Sequence, residues 1–238
     1  MDFAPILSAA RRAQAAYIMD AAQAKAAFEA LGHTFIAQFK DHDSQAVLSL
    51  GPDGKTYFSL AGTRFSDRQL GDLIDDLQTD ALDLGGGAKV TRGPYESAKE
   101  LFAWALSVVP SGAVLNCAGH SLAGWRISYI GSFVPPEQIG SLFAVEPPRG
   151  ANLAYYAKYQ KELAGLTIIG NSADIWFGYP RLGGWKHRPG PMIHLSKTGY
   201  QVIDTSAWPG GLSLADHSID LVVQRLEKLA AAPLQPAA

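Results

Sequence analysis

The amino-acid order predicts an α/β protein: a mixed, mostly parallel sheet that opens with an N-terminal antiparallel meander and is covered by flanking helices. Three observations carry this expectation. From about residue 95 onward, apolar runs of strand length alternate with helical stretches, the pattern of parallel strands joined by right-handed crossovers. Ahead of them stand three short apolar runs in succession, the last two joined by Gly51-Pro52-Asp53-Gly54, a strong turn signal. Finally, a chain of 238 residues with 47% hydrophobic and 18% charged side chains can bury one large core, and it contains no composition break that reads as a linker. One domain over 1–238 is expected, with an N-terminal helix at 5–31 and a core at 33–230.

Residues 5–31 are alanine-rich and stop at Gly32, which predicts helix, with a break near Asp20. The meander follows at 33–40, 45–50 and 56–62. Next come a helix at 68–78, a glycine-rich loop at 85–87, a helix at 95–109, a strand at 112–119 and a helix at 122–132. The order continues with a strand at 141–146, a helix at 152–164 and a strand at 166–170. Residues 176–212 are rich in Pro, Gly and Trp and hold one short apolar segment, Pro191-Met192-Ile193-His194-Leu195-Ser196. So long an irregular stretch beside a parallel sheet is usually functional, and residues 184–212 are expected to shape a substrate pocket. A helix at 214–229 closes the fold, and the last residues read as a frayed tail.

Composition narrows the function. A formal net charge of −2 gives no general field to attract nucleic acid, so no nucleic-acid partner is expected. Cys117 is the only cysteine, which excludes an internal disulfide and a cysteine-based zinc cluster. No His, Asp and Glu residues stand at metal-ligand spacing in the sequence, so neither metal nor cofactor is expected. Met1 to Ile6 lack a basic segment followed by an apolar one, and no run approaches the roughly 18 apolar residues of a membrane span. The expectation is a soluble chain, cytoplasmic or exported without an N-terminal signal.

The segment that carries chemistry is Gly119-His120-Ser121-Leu122-Ala123-Gly124, between an apolar strand and a helix. A turn from strand to helix this tight holds its central residue in a strained conformation and tolerates only small residues two positions away on either side, the nucleophile-elbow arrangement. Ser121 would stand at the C-terminal edge of the sheet, with the Leu122 amide at a helix N-terminus ready to donate to an oxyanion. The loose pattern recurs at Gly211-Leu212-Ser213-Leu214-Ala215, but behind Trp208-Pro209-Gly210 rather than a strand, so Ser213 has no sheet edge to stand on. The bland alternative for Ser121 is a helix N-cap.

A serine nucleophile needs a base, and the base an orienting acid. His33 and His42 flank an early strand, and His120 adjoins the serine but should point away from it. His187 and His194 lie in the irregular stretch. His217, downstream of every strand, suits the chain order Ser, Asp, His, and leads. For the acid, Asp174 after Leu166-Thr167-Ile168-Ile169-Gly170 is taken as the only carboxylate placed just beyond a strand; otherwise it is a turn-capping aspartate.

Four motifs, met in order, resemble those of the class 3 lipases, a triglyceride-lipase-like branch of the α/β hydrolases. Phe58 to Thr63 followed by Leu73-Ile74-Asp75-Asp76-Leu77 is similar to the family's first segment, and Gly119 to Gly124 to its Gly-His-Ser-Leu-Gly-Gly. Pro147-Pro148-Arg149-Gly150-Ala151-Asn152 resembles its Pro-Arg motif, and Asn171-Ser172-Ala173-Asp174-Ile175 with Pro180 and His187 resembles its acid segment. The resemblance implies Ser121 as nucleophile, Asp174 as acid, His217 as base, and Thr63 with Leu122 as the oxyanion hole. It demotes His187 and implies an acyl-ester or lipid substrate. It also makes residues 64–80 a lid that could touch a lipid interface, with Leu70, Leu73, Ile74 and Leu77 on one face; a core-packed helix would show the same spacing. Three departures stand out: Ala123 for the first glycine of the usual pair, Ala61 where arginine is common, and Trp125-Arg126 in place of small residues. An acyltransferase with the same residues, and an inactive binding module on this fold, are the alternatives.

Overall fold

A computed structural model describes residues 1–41, 44–63 and 80–232. The helix expected at 68–78, the lid reading of 64–80 apart from Asp80, His42 and the end of the tail lie outside the described residues.

The alanine-rich start forms two helices, Ala4–Ala15 and Ala21–Ala30, and the break falls where expected. Asp20 caps the second by accepting from the Gln23 amide at 2.8 Å, which satisfies one of the free donors of a helix start. The three apolar runs are β1 (Thr34–Lys40), β2 (Gln45–Leu50) and β3 (Thr56–Ala61), paired antiparallel in sequence. Gly54, at φ +73°, takes a turn conformation that disfavours any side chain.

A hairpin separate from the main sheet comes next, β4 (Ala81–Asp83) with β5 (Lys89–Thr91), turning on Gly85, Gly86 and Gly87, all at positive φ. The sequence shows the loop but not its strands, because three residues are too short to display alternation. Beyond β3 the main sheet turns parallel. β6 (Leu115–His120), β7 (Ile139–Val145), β8 (Leu166–Asn171) and β9 (Pro191–Leu195) add on in order, and β10 (Tyr200–Asp204) closes the far edge antiparallel to β9. The eight-stranded order β1-β2-β3-β6-β7-β8-β9-β10 is the predicted mixed, mostly parallel sheet. β10 is hidden in the sequence because it is an edge strand whose residues are mostly exposed.

Alternate residues of the central strands face opposite layers. Leu142 and Ala144 of β7 and Ile168 of β8 join the larger core, with Leu101 and Phe102 of the helix Arg92–Val108 and Trp125 of the short helix Leu122–Ile127. Val145 and Ile169 face the other way, against Phe3, Ile6 and Ala10 of the N-terminal segment and Val222, Val223 and Leu226 of the last helix, Ile219–Ala231. The chain's two ends thus cover one face together.

Several boundaries shift. The helix expected at 122–132 ends at Ile127 and passes to a 3-10 turn at Ile130–Ser132; the one expected at 152–164 runs only Leu153–Lys158. The closing helix starts at Ile219, not 214, with Ser218 as its cap accepting from the Leu221 amide. Residues 214–218 are therefore an irregular approach, and His217 belongs to it. Among the described residues no helix is long and apolar enough to cross a membrane.

Candidate active site

β6 delivers Ser121 into the turn that begins the helix Leu122–Ile127. Ser121 sits at φ 60°, ψ −128°, a region that non-glycine residues occupy only under constraint, and its amide donates to the Val145 carbonyl of the neighbouring strand at 2.8 Å. Its hydroxyl caps no helical amide, so the bland N-cap reading does not describe it. The small residues around it are required by space. A Cβ added to Gly119 would lie 2.7 Å from the Ala123 Cβ, so the alanine departure is accommodated because Gly119 has no side chain. A Cβ on Gly62 would lie 2.9 Å from Ser121 Cβ and 2.5 Å from the His120 carbonyl, so only glycine lets β3 exit against the serine.

That exit leads to Thr63, whose Oγ1 is buried without a hydrogen-bond partner among the described residues. Leu122 is the first residue of its helix, where the leading amides are not used by helical hydrogen bonds. Trp125 is fully buried and donates to the Tyr129 hydroxyl at 2.8 Å; a Cβ on Gly150 would collide with the indole, so that glycine makes room for the large side chain. The Trp125 departure is thus accommodated by dense packing. Arg126 donates to Ser97 at 2.8 Å, and Ala61 is completely buried at the end of β3.

The Ser121 hydroxyl lies 2.7 Å from His217 Nε2, and His217 Nδ1 lies 2.9 Å from Asp174 Oδ2. The other oxygen of Asp174 accepts from the Trp176 amide at 2.8 Å, and the carboxylate is fully buried. An acceptor-only carboxylate at Nδ1 selects the tautomer that leaves Nε2 free to take the serine proton.

Two loops hold this chain of contacts. Ser213 pairs in parallel with Asp174, its amide donating to the Ala173 carbonyl at 2.8 Å and its carbonyl accepting from Ile175 at 3.2 Å. A Cβ on Gly211 would come within 2.1 Å of the Ala173 carbonyl, so the strap lies flat only with glycine there. The second Gly-x-Ser-x-Ala copy is this strap. Asp216, beside the histidine, receives Arg225 Nη2 at 3.3 Å, and its carbonyl receives Asn171 Nδ2 at 2.6 Å; Arg225 also donates to Asn171 Oδ1.

The remaining histidines are engaged elsewhere. His187 is buried, stacked on Phe177 at 4.1 Å between ring centroids, with Nε2 2.8 Å from the Phe177 carbonyl; burial pushes its pKa down to about 3. His194 contacts the Ser172 carbonyl at 2.9 Å, and His33 contacts Ser49 at 3.1 Å.

His120 adjoins the serine and leads to a correction elsewhere. Its nitrogens do turn from the serine, to the Tyr17 hydroxyl at 2.7 Å and to Glu146 Oε2 at 3.0 Å, yet its ring lies 4.8 Å from that of His217. Glu146, at φ 49° just past β7, is a second carboxylate beyond a strand, so Asp174 is not the only one; it is Asp174, not Glu146, that meets His217. Burial raises the Glu146 pKa well above the ordinary carboxyl range, with the nearby charge of Asp174 adding to it, and burial followed by the charge of His217 lowers that of His120. Ligand atoms of His120, Glu146 and His217 fall within 4.8 Å of one another, a grouping no linear spacing revealed. Each of these side chains already has a protein partner, so the group reads as a buried hydrogen-bond network. The only hint in the sequence was an acid ending an otherwise apolar strand; a lone tyrosine after the first helix gave none.

No family model matches the chain, and no curated protein does. Solved structures do. Lipase II from Rhizopus niveus superimposes with a TM-score of 0.66 at 18% identity, covering 89% of this chain and 91% of that one. The lipase from Rhizopus microsporus var. chinensis gives 0.65 at 19% identity over 89% and 84%, and Lip2 lipase from Yarrowia lipolytica gives 0.65 at 16% over 88% and 86%. At this identity the likeness is one of backbone architecture, and by it the chain has the fold of these fungal lipases.

Proposed function

We propose that the chain is a serine carboxylic-ester hydrolase working through an acyl-enzyme on Ser121, with His217 as base and Asp174 as the acid that orients it. The observation that carries this reading is the unbroken run of contacts from the Ser121 hydroxyl through His217 to buried Asp174, at 2.7 and 2.9 Å, beginning on a strained turn at the sheet's C-terminal edge. In the reaction Nε2 takes the hydroxyl proton as Oγ attacks the acyl carbon. Asp174 stabilises the imidazolium, which then protonates the leaving alcohol; water reverses the sequence to free the acid. The oxyanion that develops on the carbonyl would be met by Leu122 and Thr63, whose orphaned hydroxyl is the kind of preorganised donor such a charge requires. The likeness to structures named lipases, among them a triacylglycerol lipase from Penicillium expansum, supports an acyl ester as the substrate class.

The test is labelling with a fluorophosphonate probe and hydrolysis of a soluble short-chain ester by the wild type and by Ser121→Ala and Ser213→Ala. Ser121→Ala should lose labelling and about 10⁴-fold in rate, while Ser213→Ala keeps its labelling. Full activity in Ser121→Ala, or no labelling of folded wild-type protein, would refute the proposal.

A further inference from the structure

Beside the loop that carries Asp174 lies an open pocket of about 540 Å³, lined by Arg149, Gly178, Arg181, Trp208 and Gly210 to Leu212. Its wall runs directly into the Ser213 strap. Among the described residues no aspartate or glutamate lines it, and neither arginine makes an ion pair. Arg149 is half-buried, and the chain holds it beside Arg181 because its amide donates to the Tyr179 carbonyl at 2.6 Å. Desolvation first, and the like charge of Arg181 second, lower its pKa, the response of a cation whose surroundings leave it uncompensated. The only protein acceptor for an arginine here, among the described residues, is the Gly211 carbonyl, at 3.5 Å from Arg181.

Two guanidinium groups around one space are an excess of donors and positive charge with nothing among the described residues to balance them. Surface arginines commonly face water at no cost, but a half-buried one held against another of like charge does not. A carboxylate would be satisfied by one guanidinium in bidentate contact, whereas a phosphate offers several oxygens for more than one donor. We infer that this pocket is a binding site for a phosphate group, supplied by a phosphodiester head group or by free phosphate. The head-group source rests on the ester-hydrolase reading and deepens it, since it makes a phospholipid the substrate class; the phosphate site itself does not depend on that reading.

Binding is measured on Ser121→Ala protein, which prevents turnover, by tryptophan fluorescence or calorimetry. The probes are inorganic phosphate, dihexanoylphosphatidylcholine below its micellar concentration, and neutral dihexanoylglycerol. Arg181 is exposed, so Arg181→Gln should fold, and Arg181→Lys restores the charge without the planar fork. Removing a charge-assisted hydrogen bond to the ligand weakens binding by about tenfold or more. The expected result is that loss for phosphatidylcholine in Arg181→Gln, partial recovery in Arg181→Lys, and no change for dihexanoylglycerol. Equal, Arg181-dependent binding of inorganic phosphate with no gain from the lipid would assign the site to free phosphate. If neither phosphate probe responds to Arg181→Gln, or dihexanoylglycerol responds equally, the inference is overturned. Failure of Ser121 labelling would sink the hydrolase reading while leaving this binding intact, so the two outcomes remain separable.

Discussion

Replacing His187 by Gln separates a histidine that holds the fold from the one proposed to do chemistry. The glutamine Nε2 can occupy the place of the ring Nε2 and keep the bond to the Phe177 carbonyl, while the titrating ring is removed. In the folded protein His187 is buried and its pKa is pushed down to about 3; in the unfolded chain it returns to 6.5. Below pH 6.5 the unfolded state therefore binds a proton that the folded state refuses. Stability from this group is whole above pH 6.5 and is lost as pH falls towards 3. Each pH unit in that window costs about 1.4 kcal/mol, so at pH 5 the wild type has lost about 2 kcal/mol through His187 alone. At pH 8 the variant should be the less stable by roughly 1 kcal/mol, since it gives up the stacking on Phe177. The difference should then close and reverse sign on going to pH 5. Urea unfolding followed by tryptophan fluorescence from pH 8 to 4.5 measures it, and the comparison with wild type cancels the contributions of His120 and Glu146. A stability difference that stays constant with pH would refute the burial argument. If folded His187→Gln loses ester hydrolysis at pH 8 as severely as Ser121→Ala, the assignment of His217 as base would fall with it.

Gly119→Ala should not yield a stable elbow: its Cβ would stand 2.7 Å from Ala123 Cβ and 2.9 Å from that residue's carbonyl carbon, so expression and thermal melting should show severe destabilisation that Ala123→Gly relieves only in part. Thr63→Val keeps shape and backbone but deletes the buried hydroxyl, and steady-state kinetics should show kcat falling about a hundredfold with KM little changed; an unchanged kcat would remove the hydroxyl from the oxyanion site. Glu146 has a folded-state pKa above its unfolded value, so its contribution is whole below about pH 4.5 and declines as pH rises. Glu146→Gln, isosteric with the neutral acid, should gain on wild type in denaturant midpoint from pH 5 to 8, and parallel curves would show that Glu146 is not held neutral.

Features that depend on neighbours along the chain were legible in the amino-acid order. Short apolar runs bounded by turn signals marked β2, β3 and the parallel strands, because a strand covered on both faces is apolar along its length. The elbow was legible for the same reason: the strain at Ser121 is created by its own turn, so the small residues it needs stand beside it at Gly119, Ala123 and Gly124. Chain order put His217 ahead of the other histidines, but position relative to strands did not single out Asp174, because Glu146 also stands just past a strand.

Tertiary structure decided what depends on residues far apart in sequence. That Arg225 and Asn171 would clamp Asp216, that the second serine motif would become a strap on the Asp174 loop, and that Tyr17 and Glu146 would close around His120 all join separate elements. No local period encodes a contact across 103 residues, as between Tyr17 and His120, because only sheet order and helix docking bring the two together. Short edge elements such as β10 and the β4–β5 hairpin were hidden for the complementary reason: with so little burial, their strand state comes from the partner that hydrogen-bonds to them rather than from a hydrophobic face of their own.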